Sequence, residues 1–219
     1  MTAPAPQCPG ASGEIRRYVP VRDAEANLAA DIVELIKADH RRIRRLCGAV
    51  YNTGRQRGQS DPDWMLGHLW QRLADLLVAH TQAEEQTCYA YVPGPDPHTI
   101  WPMQDPLVVH EDIRKLIGEA AKNPVGSVPW WHAVSTVIEL STEHHEREER
   151  DILPRYVARL GLSRRKELGR QWCAFMASWP FDGAGQAAMK AHHWRPSSLR
   201  RLRSRLITYR GRMPRSSRS

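Results

Sequence analysis

A chain of 219 residues can form one domain with a sizeable core plus tails, or two small domains. Its net charge of +8 is uneven: residues 190–219 hold ten Lys or Arg and no acid, leaving 22 basic and 24 acidic side chains, or −2, on the body, which argues against a nucleic-acid-binding domain there. No apolar run approaches a membrane span, and Cys8, Cys47, Cys88 and Cys173 form no CxxC pair, so a zinc ribbon and a disulfide scaffold are set aside and a reduced, cytoplasmic protein is expected.

The leader, residues 1–24, begins "MTAPAPQCPGASGE"; it lacks the basic-then-apolar order of a signal peptide and is expected to be disordered. The first helix is predicted over 25–53, where Ile32, Leu35, Ile36, Ile43, Leu46 and Val50 recur at steps of three and four. The second is predicted over 62–91, opened by the acid and proline of "SDPDW" and carrying Leu66, Leu69, Leu73, Leu76 and Leu77. After the loop "VPGPDPHTIWPMQDP", a shorter third helix covers about 106–121. The break "KNPVGSVP" precedes a fourth over about 128–159, with Val134, Val137, Ile138 and Ile152 on one side. No segment alternates as a strand. The expected fold is all-α, an antiparallel up-and-down four-helix bundle over 25–160. A C-terminal extension, 161–189, holds a fifth helix at 163–178, and the Arg- and Ser-rich tail, 190–219, is read as disordered.

Each of the four helices places a histidine on or beside its apolar stripe: His40, His80, His110 and His144. One such histidine is ordinary core material, but four in register are not. In "HTQAEE", Glu84 follows His80 by four residues, nearly one helical turn, so the two side chains share a face, whereas Glu85 should point away. "HHEREE" repeats the arrangement with His144 and Glu148. Periodicity leaves His144 and His145 nearly tied; the shared H-x-x-x-E-E pattern, followed four residues after each first glutamate by Cys88 or Ile152, selects His144. Two unpaired carboxylates buried among leucines would cost several kcal/mol each or would protonate. Two cations remove that penalty, and imidazole with carboxylate suits iron, manganese or zinc. The set His40, His80, Glu84, His110, His144 and Glu148 therefore fits two metals, with the glutamates bridging them.

This pattern, H…HxxxE…H…HxxxE over about residues 28–158, closely resembles the hemerythrin-like family of HHE cation-binding domains. The resemblance implies a non-haem di-iron centre, bridged by Glu84 and Glu148, that binds dioxygen, senses oxygen or iron, or acts on peroxide or nitric oxide. Oxygen carriers of that family have a further histidine four residues after the third-helix ligand, where this chain has Arg114. Fewer imidazoles favour redox chemistry over reversible carriage. The ferritin-like Glu-x-x-His and the zincin H-E-x-x-H are both absent.

The other histidines (His68, His98, His132, His192 and His193) are read as non-ligands. His145, Glu146, Glu149 and Glu85 are assigned to a solvated face, with support of the ligands as the alternative for His145, Glu149 and Glu85. Tyr51, Tyr89 and Cys47 are assigned to packing. The alternative function is a metal- or oxygen-responsive module that engages nucleic acid or an anionic surface through residues 190–219. A metal-free scaffold leaves Glu84 and Glu148 unexplained.

Overall fold

The computed structural model describes residues 30–55, 63–89 and 106–181, and every regular element among them is helical. The helices are α1 (Ile32–Arg55), α2 (Asp63–Thr87), α3 (Pro106–Ala120), α4 (Val128–Arg147), α5 (Leu153–Arg159) and α6 (Leu162–Ser178). A single π-turn, Glu148–Ile152, joins α4 to α5. The fourth predicted helix is thus one continuous rod with a widened turn in its middle. The described part of the predicted first helix begins later than expected, because Asp31 is not helical and instead accepts from Val33 N–H through its side chain at 3.0 Å, capping α1. The leader and the basic tail lie outside the described residues. No helix among the described residues is long and apolar enough to cross a membrane.

α1 packs on α2, α2 on α3, α3 on α4 and α4 back on α1, so four helices surround one core. Ile36, Ile43, Leu73, Leu77, Ile113, Ile117 and Val134 are each at most 1% exposed there. Each such side chain contributes roughly 1.5–3 kcal/mol by leaving water. α2 carries more than one buried stripe, because α1, α3 and α6 all lean on it. Residues 73–85 are buried apart from Gln82, so α2 lacks a broad polar face. Between α3 and α4 the chain turns through Gly126, whose φ of 75° favours glycine, and Ser127 then caps α4 by accepting from Trp130 N–H at 3.4 Å.

The predicted fifth helix is present as α6 and lies against α1 and α2. Gly169 makes that docking close: a Cβ there would sit 2.0 Å from the Ala30 carbonyl oxygen. Arg165 fastens the same corner by donating to the Asp31 carboxylate at 2.8 Å. Docking brings the buried Trp172 edge-on to His80, ring centroids 5.4 Å apart.

Candidate metal centre

The six predicted ligand residues converge in the middle of the bundle, each at most 3% exposed. Together with His145, which was not among them, their donor atoms form two groups, each within 4.8 Å: His40, His80, His145 and Glu148, and Glu84, His110, His144 and Glu148. Glu84 reaches into both. Its Oε1 lies 3.2 Å from His80 Nε2 and 3.9 Å from His40 Nε2, while its Oε2 lies 3.4 Å from His110 Nε2. Glu148 Oε2 stands between the halves, 3.4 Å from His40 Nε2 and 3.6 Å from His144 Nε2. Its other oxygen accepts from the Tyr89 hydroxyl.

The π-turn begins at Glu148, where the carbonyl accepts from Leu153 N–H, five residues on. α2 widens similarly, with the Glu84 carbonyl accepting from both Cys88 and Tyr89 N–H at 2.8 and 2.9 Å. Both inward-facing glutamates thus sit where the helical ladder opens. Past α2, Tyr89 turns back to Glu148, and Tyr156 donates to the Cys88 carbonyl.

The assignment of His145 to solvent is wrong. His145 is 1% exposed; it stacks on His40 with centroids 4.1 Å apart and meets His80 edge-on at 5.1 Å. Adjacent helical residues differ in direction by about 100°, and α4 faces α3 on one side and α1 on the other. Both histidines of the doublet therefore point inward, His144 toward His110 and His145 toward His40. The corresponding position in the other repeat is Thr81, whose hydroxyl donates to the Val78 carbonyl at 3.2 Å. Comparing the two repeats for one shared ligand concealed the place where they differ.

Glu85 and Glu149 do not simply face solvent either. Glu85 is buried and accepts from His110 Nδ1 at 3.1 Å and Arg114 at 2.9 Å. Glu149 accepts from His40 Nδ1 at 2.9 Å and Arg44 at 3.0 Å. Behind His80, an Asp39 oxygen lies 3.9 Å from Nδ1. Sequence reasoning missed Asp39 and Arg44. For Arg44 the signal was positional: Arg44 and Arg114 each follow a stripe histidine by four residues, as Glu84 and Glu148 do on the other two helices.

The electrostatics follow from these neighbours. Burial pushes His80 toward neutrality, but the Glu84 and Asp39 carboxylates outweigh it and raise its pKa to about 10. His40 and His110 are raised in the same way, burial opposing and the glutamates prevailing. His144 falls to about 4, chiefly through burial, with the His110 and His80 charges adding to the fall against the pull of Glu148. His145 falls well below the usual range because it is buried among His40, His80 and His144. Burial likewise raises Glu84, yet His80, His110 and His40 hold it well below the usual carboxylate range.

The donor set fits metal ions. His40 Nε2, His80 Nε2, both ring nitrogens of His145, both Glu84 oxygens and Glu148 Oε2 are buried without a hydrogen-bond partner. Orphaned polar atoms at this density are costly unless something cationic completes them. The nitrogens and oxygens belong to ligand types shared by iron, manganese and zinc.

Several neighbours play the parts expected of them. Tyr51 stacks on Trp131, His68 and His132 are exposed, and burial pushes the Cys47 thiol up to about 12, leaving it an inert packed group. Tyr89 departs from simple packing, since its hydroxyl serves Glu148; burial and that carboxylate keep it a phenol. His98, His192 and His193 lie outside the described residues.

No curated protein and no solved structure matches the chain. Residues 31–156, more than half of the sequence, match the hemerythrin HHE cation-binding domain. Every residue of the two buried groups falls inside that segment, and the chain belongs to the hemerythrin HHE cation-binding family.

Proposed function

We propose that the chain is a non-haem di-iron protein that binds or reacts with dioxygen, peroxide or nitric oxide inside an antiparallel up-and-down bundle. One half of the centre uses His40, His80 and His145, the other His110 and His144, and Glu84 and Glu148 serve both. The observation that carries this reading is Glu84, whose two oxygens face imidazoles of opposite halves. A carboxylate so placed would hold two cations close together and offset their charge.

When bound, iron would supply the redox electrons and an open position for a small ligand. The protein supplies the rest. Imidazoles from four helices fix two positions, and the surrounding apolar side chains limit water. Tyr89, donating to Glu148, steadies that carboxylate and keeps a hydroxyl beside the half that has only two imidazoles. That half, one nitrogen donor short, is where an exogenous ligand fits best.

Metal analysis of protein purified without added metal, with spectra before and after peroxide, tests this function. About two iron atoms per chain are expected, and His80→Ala and Glu148→Ala should each lose metal. Full loading in both variants would sink the assignment, and an iron-loaded protein silent to peroxide, dioxygen and nitric oxide would remove the reactivity.

A further inference from the structure

The doublets Glu84–Glu85 and Glu148–Glu149 divide their labour. In each, the first glutamate faces the centre, and the second leaves it to meet a histidine on another helix. Glu149, in the π-turn, accepts from His40 Nδ1 on α1 at 2.9 Å, and Arg44, one turn beyond His40, donates to the same oxygen at 3.0 Å. Glu85, on α2, accepts from His110 Nδ1 on α3 at 3.1 Å, and Arg114, one turn beyond His110, donates to the same oxygen at 2.9 Å. The chain therefore holds two Arg–Glu–His triads of one design. Each ties a helix with a single inward histidine to a helix with an H-x-x-x-E-E run.

A histidine whose Nδ1–H is committed to a carboxylate presents Nε2 in a fixed direction and with raised basicity. In both triads Nε2 points at the shared glutamates: His40 Nε2 is 3.4 Å from Glu148, and His110 Nε2 is 3.4 Å from Glu84. In each triad the guanidinium and the imidazole share one carboxylate oxygen, and the charge-assisted bond from the arginine holds that carboxylate beside Nδ1. This also accounts for Arg114, where oxygen carriers of the family have a further histidine. Its guanidinium meets Glu85, a contact that repeats that of Arg44 with Glu149.

We infer that Glu85 and Glu149, held by Arg114 and Arg44, are positioning residues that lock His110 and His40 with the proton on Nδ1 and Nε2 toward the metals. The two locks differ in exposure. The Arg114–Glu85 pair is 12% and 8% exposed, and the Arg44–Glu149 pair 40% and 31%. Water competes more at the second lock than at the first, so Glu149 holds His40 less firmly than Glu85 holds His110. This rests on His40 and His110 being ligands, as proposed above.

The test uses the full chain loaded with zinc(II), which is diamagnetic, and reads histidine ring nitrogens by NMR in the wild type, Glu85→Gln and Glu149→Gln. In the wild type, His40 and His110 should each show a protonated Nδ1 and a metal-shifted Nε2. Glu149→Gln should alter the His40 signals alone and speed zinc loss from that half to a chelator by roughly tenfold or more; Glu85→Gln should do the same for His110. A merely structural role would disturb both rings together or neither. Wild-type rings protonated on Nε2 or bound through Nδ1 overturn the proposal without any variant, so a misfolding variant does not shelter it. Wild-type Nε2 atoms showing no metal shift at all instead overturn the ligand assignment beneath it. Variants with native helix content and unchanged rings and release rates refute the positioning role while leaving the ligands standing.

Discussion

The two halves of the centre are built from the same parts and are not equal. Exchanging α1 with α3 and α2 with α4 maps His40 onto His110, His80 onto His144, Glu84 onto Glu148 and Arg44–Glu149 onto Arg114–Glu85. Among the imidazoles the correspondence fails where His145 stands against Thr81, and around them Asp39 and Tyr89 are matched by Val109 and Leu153. The first half thereby gains a third imidazole. In the second, the space is occupied differently: Arg114 reaches the Thr81 hydroxyl at 3.4 Å, and Tyr89 lies beside His110. A repeated scaffold thus offers two donor groups, and His145, Asp39 and Tyr89 make them chemically distinct. α6 widens the difference, since Trp172 lies against His80 in the first half.

The most destructive change should be Glu148→Ala, because Glu148 belongs to both groups. Metal content is expected to fall to well under one equivalent by elemental analysis, and retention of both metals would mean the halves share nothing through this carboxylate. His145→Ala should instead remove the extra imidazole, speeding chelator release from the His40–His80 half toward the rate of the other while sparing the His110–His144 half. Thr81→His asks the converse question less cleanly, because Arg114 must first move.

Gly169→Ala should act on one half only. Its Cβ meets the Ala30 carbonyl, so α6 must lift, at a cost of about 1–3 kcal/mol in chemical unfolding. Trp172 then leaves His80, and faster chelator release from the first half, with the second unchanged, is expected. Equal acceleration of both halves would show that α6 matters only for global stability.

The subtlest expectation concerns pH in metal-free protein. His80 is raised from about 6.5 to about 10 on folding, so its contribution is fully present below pH 6.5 and lost as pH rises through 10. His144, lowered to about 4, works in the opposite sense: protonating the unfolded chain below 6.5 weakens the fold as pH falls toward 4, and His145 adds to that loss. Thermal melts of the stripped protein should peak near neutrality and fall on both sides. Metal-loaded protein should lose the alkaline limb, because a cation has replaced the His80 proton. A flat profile in stripped protein would contradict the charge balance described for these histidines.

How far the sequence could be read depended on what each residue had to match. His40, His80, His110 and His144 were legible because a single periodicity, the helix's own, places them on the stripes. Glu84 and Glu148 were legible because four residues make nearly a turn. His145 was not, since whether a residue 100° from a ligand faces solvent depends on whether a second helix stands there, and α1 does. Glu85 and Glu149 were misjudged for the same reason. They point away from the histidine on their own helix and toward a histidine on another.

The sequence by itself determined the helices, their breaks, the family and six residues that converge inside the bundle, because local spacing and the burial of apolar stripes are properties of a chain segment. Tertiary structure decided the rest: that both histidines of one doublet turn inward, that each second glutamate serves a neighbouring helix, and that α6 closes over one half. These depend on which helices stand next to one another, and on a π-turn and a glycine contact whose consequences appear only after packing.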